Sequence, residues 1–132
     1  RIAIGPRDLQ NNTAEVARRD TKTKSFMSMD TLTTEVAALM DEIQQNLFNR
    51  AKVYRDEHIT PADTWDEFIH ILDNKGGFVL AHWDGTGETE DKIKELTKAT
   101  IRCIPLDNPL EMGKCILTGN PSTQRVLFAR AY

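Results

Sequence analysis

Along this chain of 132 residues, apolar positions recur with two periods, and each period assigns elements. Between residues 31 and 57, Leu32, Val36, Leu39, Met40, Ile43, Leu47, Ala51 and Tyr54 recur three and four apart. That spacing predicts one long helix with a buried face. Asp30 or Thr31 can cap its start, and no Gly or Pro interrupts it. Upstream, Ile2-Ala-Ile-Gly5 reads as a strand end and Gly5-Pro-Arg-Asp8 as a turn. Thr13–Arg19 alternates after the Asn11-Asn12 turn, so a β-hairpin is expected, with a polar loop over Asp20–Lys24 and a short extended piece over Met27–Met29.

Downstream, Pro61 breaks the chain. Thr64-Trp-Asp-Glu67 is a capping box that opens a second helix through Leu72, with Trp65, Phe68, Ile69 and Leu72 facing inward. Strands are predicted over 78–83, 100–104, 114–118 and 125–130, and a helix over 88–98. A loop runs from Pro105 to Gly113 and a turn over Gly119–Ser122. The pattern predicts an α+β or α/β chain in two parts. Residues 1–58 are expected to hold the hairpin and one long helix, and residues 59–132 a small two-layer α+β domain.

Composition adds little to this picture. The chain is 39% apolar and 28% charged, as in ordinary soluble domains, and no segment reaches the length of a membrane span. Two cysteines twelve residues apart, Cys103 and Cys115, suggest free thiols in a reducing compartment. The opening Arg1-Ile-Ala-Ile-Gly-Pro does not read as a secretory leader, and an initial Arg points to a piece of a longer protein or to an engineered start. Charge is informative because it is uneven. The net charge is −3, yet residues 1–29 carry six basic groups against three acidic ones. A local basic patch on an acidic protein can hold nucleic acid.

The stretch AHWDGTGETEDKIKEL, residues 81–96, runs from strand through a glycine loop into a helix, which is where phosphates and metals are often held. Phosphate does not suit it, because Gly87 is followed by Glu88-Thr-Glu-Asp91 where a phosphate loop places Lys and Ser/Thr. Those carboxylates match the positive end of a helix dipole and need no ligand. His82 and Asp84 are possible metal donors. The plainer alternative is a capped loop on a surface helix. His58, His70 and His82 form no catalytic arrangement by spacing. Cys103 reads as a buried core thiol. Trp65 and Trp83 read as core anchors rather than base-stacking platforms.

Several blocks together resemble one family. RIAIGPRDL followed by EVARRDTKT resembles the second half of the anticodon-binding domain of prolyl-tRNA synthetases, which implies a partial mixed sheet beside the long helix in residues 1–58. KIKELTKATIRCIPLDN and the terminal GKCILTGNPSTQRVLFARAY resemble the appended C-terminal domain of the archaeal/eukaryotic-like form of that class II family. The resemblance implies a share in a proline–tRNA ligase in the cytoplasm, a homodimer that uses ATP and magnesium. No catalytic residue or cofactor of that reaction falls in these residues. The chain would contact the proline tRNA and the catalytic domain of its own polypeptide, and no membrane. It also places Arg7, Asp8, Arg18, Arg19, Asp20 and Lys22 near the anticodon, where Arg and Lys can hold phosphate or guanine edges and Asp can accept from guanine. Their plainer role is a solvated hairpin, with Asp8 and Asp20 paired to Arg7 and Arg19. Tyr132 would support the active site through its terminal carboxylate. Relatives with zinc place four cysteines where this chain has Asp84, Thr89, Cys115 and Leu117, which implies a zinc-type scaffold without zinc, stapled instead by Leu117, Ile116 and Trp83. The competing expectation is a free-standing α+β RNA-binding or interaction module without ligase activity.

Overall fold

The computed structural model describes residues 1–131, and it divides into two compact units, Arg1–Tyr54 and Arg55–Tyr132. Tyr132, expected to support an active site, lies outside the described residues.

The first unit begins with β1 (Ile2–Ala3), α1 (Pro6–Asn11), β2 (Thr13–Ala17) and β3 (Lys24–Ser28), followed by α2 (Leu32–Glu57). The strands form an antiparallel sheet in the order β1-β2-β3. Residues 5–8, expected as a turn, instead open α1. Pro6 stands in the first turn, where its missing N–H costs nothing. The Asp8 carboxylate accepts from the Gly5 N–H at 2.8 Å, and Asn12 closes the helix in the left-handed region.

Ala14 and Val16 of β2 are buried. Beside them, Ile2 and Val16 line a groove together with Val36, Leu39, Met40 and Ile43 of α2. The long helix forms as its periodicity requires, but none of its residues is fully buried. Met40, Leu47 and Tyr54 are exposed. The reason is length. A helix of 26 residues is about 39 Å long, whereas strands of five residues span about 17 Å. The sheet of this unit cannot cover the whole apolar stripe.

The second unit contains β4 (Ile59–Pro61), α3 (Trp65–His70), a π-helical turn over Ile71–Lys75, β5 (Phe78–His82), α4 (Gly87–Thr97), β6 (Ala99–Cys103), β7 (Gly113–Lys114), β8 (Pro121–Ser122) and β9 (Arg125–Arg130). Its main sheet has the order β4-β5-β9-β6, with β4 parallel to β5 and the other pairs antiparallel. The expected break at Pro61 is a strand. Proline is tolerated there because β4 is an edge and needs no N–H on its outer side. Gly77 permits the parallel pairing: its φ is +79°, and a Cβ would sit 2.6 Å from the His58 carbonyl oxygen.

The capping box forms as expected. The Glu67 N–H donates to Thr64 Oγ1 at 3.3 Å, and Glu67 Oε2 accepts from the Asp63 and Thr64 N–H groups. These bonds hold the Glu67 carboxyl below the usual range. Phe68, Ile71 and Leu72 join Val79, Ala81, Ile93, Val126 and Phe128 in one core, with Trp65, Ile69, Trp83 and Leu117 packed around it. Phe68 stacks on Trp65 with centroids 5.4 Å apart and meets Phe128 edge-on at 5.2 Å. Arg130 ties two helical segments to β9, donating to the carbonyls of Thr97 at 2.7 Å and Leu72 at 3.1 Å.

Two further expectations are corrected. Residues 114–118 are not a strand. β7 ends at Lys114, and Ile116–Thr118 form a turn closed by the Gly119 N–H donating to the Cys115 carbonyl at 2.9 Å. Cys103 is exposed rather than buried, because the β6–β9 register slips between Ile101 and Cys103, and that bulge breaks the alternation of a strand already at the sheet edge.

Candidate functional site

The residues expected to face RNA do not form one cluster. Arg7 and Asp8 sit on α1, which joins the ends of β1 and β2 at Ala3 and Thr13. Arg18, Arg19, Asp20 and Lys22 sit in the loop after Ala17, at the other end of β2. Asp8 is taken up in capping its own helix.

In the loop, Arg18 holds Asp20 with both sides of its guanidinium, Nε to Oδ1 at 3.2 Å and Nη2 to Oδ2 at 2.8 Å. Nη1 reaches Glu42 at 2.5 Å. Asn46 donates to Asp20 Oδ2 at 2.7 Å, and Arg50 to the Asp20 carbonyl at 3.3 Å. The hydrogen bonds from Arg18 hold the Asp20 carboxyl well below the usual range and raise Arg18 in turn. Asp20 thus pairs with Arg18, not Arg19. Pairing leaves little of either group to read a base, since the Asp20 side chain is only 2% exposed and that of Arg18 only 14%.

The same pairing leaves Arg19 and Lys22 exposed on a loop fixed at its base, as Arg7 is exposed on α1. Sequence reasoning missed Glu42, Asn46 and Arg50. Their spacing of four places them on one helix face and was the available signal.

The second site of interest is the loop after β5. Asp84 is its centre. Oδ1 accepts from the Thr86 N–H at 3.2 Å and the Thr86 hydroxyl at 2.9 Å. Oδ2 accepts from Thr89 at 2.9 Å, Thr118 at 2.8 Å and Asn120 at 3.4 Å. Partial burial raises the Asp84 pKa, but the bonds from Thr118, Thr86 and Thr89 outweigh that and bring it down to about 2. Thr86 also caps α4. Thr89 and Cys115 are buried, while Leu117 is half-buried. Leu117, Ile116 and Trp83 pack in or against the core as expected, but the polar contacts across this loop converge on Asp84.

These residues do not fit zinc. One thiolate, one carboxylate already supplied with donors, a hydroxyl and an alkyl chain make a poor tetrahedral donor set. Among the described residues, no group of three or more His, Cys, Asp or Glu side chains is placed to hold a metal.

His82, the nearest imidazole, is buried and engaged elsewhere. Val79 and Ala81 of β5 belong to the core, and by alternation His82 points to the other face of the sheet. Its Nδ1 lies 3.1 Å from Ser122 Oγ and its Nε2 3.6 Å from Glu111. Gly113 makes room for the ring, since a Cβ there would come within 2.2 Å of Nε2. Arg125 clamps Glu111 through two bonds, 3.0 and 2.9 Å, and holds its carboxyl below the usual range. It also reaches Asp63 at 2.5 Å and the Ala62 carbonyl at 3.2 Å. This network joins the segment just after β4, β9 and the loop before β7.

A four-stranded mixed sheet with helices against its core face, and with two loop tips cross-linked beside β5, defines a small α+β domain. This chain belongs to the family described as "Prolyl-tRNA synthetase, C-terminal", whose model matches residues 65–132. Over its full length the chain is also similar to curated proteins named proline–tRNA ligase: 59% identical to that of Christiangramia forsetii, 57% to that of Porphyromonas gingivalis and 54% to that of Flavobacterium johnsoniae. It spans 27% of the length of each of these relatives. Among the described residues, no helix is long and apolar enough to cross a membrane.

Proposed function

We propose that this chain is the C-terminal part of a cytoplasmic proline–tRNA ligase. In that reaction ATP activates the proline carboxylate as an adenylate, with magnesium, and releases pyrophosphate. A terminal ribose hydroxyl of the tRNA then attacks the adenylate and releases AMP. The chemistry is assigned to the polypeptide outside these 132 residues, and the enzyme works as a homodimer.

The first unit helps to hold the tRNA. Arg19 and Lys22 offer positive charge from a loop whose base is fixed by the Arg18–Asp20 pair, and Arg7 offers a second contact from α1. The second unit braces the catalytic body of the same polypeptide. Leu106, Leu110 and Met112 stand almost fully exposed on the loop before β7, which suits an apolar surface that packs against that body. The observation that carries the reading is that likeness to proline–tRNA ligases runs through all 132 residues without a break in order.

The test is proline-dependent ATP–pyrophosphate exchange. The product of the complete open reading frame should catalyse it and charge proline tRNA, and the 132-residue chain alone should do neither. Exchange by the isolated chain, or none by the complete product, would overturn the proposal.

A further inference from the structure

We infer that Asp84 replaces a metal as the cross-link of this domain, as a central anion ringed by donors where a zinc site has a central cation ringed by anions. The two segments that it joins are 84–89, leading into α4, and 115–120, the turn after β7. Thr86 and Thr89 donate from the first, Thr118 and Asn120 from the second.

Three observations carry this inference. The Asp84 carboxylate accepts five hydrogen bonds from four residues, against about four lone-pair sites on its two oxygens. It is saturated, and a cation would have to displace hydroxyl protons that already point at it. Next, the anion lies just before the first turn of α4, where the helix dipole favours negative charge. Finally, the turn it holds has few other ties to β5. The Ile116 N–H donates to the His82 carbonyl at 2.9 Å, and the turn's remaining backbone bonds, such as Cys115 N–H to Asn120 carbonyl at 2.8 Å, are internal. The bonds to Asp84 add side-chain links across 34 and 36 residues of sequence.

The low Asp84 pKa agrees with this arrangement, since the donors favour the ionised form. The inference rests on no step of the ligase reading.

Cys115 supplies a local readout, because it is buried inside the turn while Cys103 is exposed. In a Cys103→Ser background, the rate at which a thiol reagent labels Cys115 reports opening of the turn. Asp84→Asn replaces one accepting oxygen with an N–H₂ group facing other donors, and should speed labelling by at least about tenfold, as loss of a charged hydrogen-bond partner implies. Thr118→Val should give a smaller rise that disappears in the double variant, because both changes cut the same link. Thr118 is exposed, so that variant decides the matter should Asp84→Asn fail to fold. Chelators should leave the rate for the unaltered chain unchanged, and metal analysis should find no stoichiometric zinc. One zinc per chain, faster labelling on chelation alone, or Asp84→Asn and Thr118→Val both labelling at the unaltered rate would overturn the inference.

Discussion

Phe128 tests the account of the second unit most directly. It lies in the middle of β9, opposite Val79 of β5 and Ile101 of β6, with no surface exposed. Its ring meets Phe68 edge-on at 5.2 Å and an interplanar angle of 88°. Truncation to Ala removes a fully buried ring, at a cost of about 3–5 kcal/mol. A domain of this size has only about 5–10 kcal/mol in total, so Phe128→Ala should leave it poorly folded.

Phe128→Leu is the measurable change. It keeps most of the apolar volume and should cost about 1–2 kcal/mol, which lowers the midpoint by about 4–8 °C per kcal/mol in a small domain. Tryptophan emission is the assay. Both tryptophans, Trp65 and Trp83, lie in the second unit, so the signal reports that unit alone. Phe68→Leu and the double variant complete a cycle. Edge-to-face geometry predicts a coupling of about 0.5–1.5 kcal/mol. A Phe128→Leu midpoint indistinguishable from that of the unaltered chain, or strictly additive variants, would refute the packing described for this core.

Three shorter predictions accompany it. Asp20 is held below its ordinary value of 3.8, so its contribution to the first unit is complete above that pH and is lost as pH falls further. Far-UV circular dichroism of α2 should show an acid transition that Asp20→Asn weakens, and an identical transition in the variant would count against the pair. Thr64→Ala removes the cap of α3 and should cost about 1 kcal/mol in a urea titration, whereas Thr64→Ser should cost much less. In the full-length ligase proposed above, Arg19→Ala or Arg7→Ala should slow tRNA charging by an amount equivalent to about 1–3 kcal/mol if either holds a base, while pyrophosphate exchange continues. Unaltered charging by both would remove these residues from the tRNA surface.

Local patterns fixed much of this protein. The three-and-four spacing from Leu32 onward determined α2, and the Thr64–Glu67 box determined where α3 begins. Short apolar runs marked β5 and β9. Those features depend on bonds and burial within a few residues, so sequence alone carries them. The block resemblance likewise lay in the order of residues and needed no coordinates.

Tertiary structure decided which polar groups were free. Arg18 and Asp20 look as available as Arg19 and Lys22 in the sequence. They are not, because Glu42, Asn46 and Arg50 arrive from more than twenty residues away to engage them. Pro61 looks like a break until β5 lies beside it, and Cys103 looks buried until a bulge turns it out. Asp84 reads as a degenerate metal ligand until Thr118 and Asn120 close over it. Hydrophobic periodicity marks which face of an element can turn toward a core, whereas a polar group's role depends on which partner the fold places within about 3 Å of it, and that is set by contacts between distant segments.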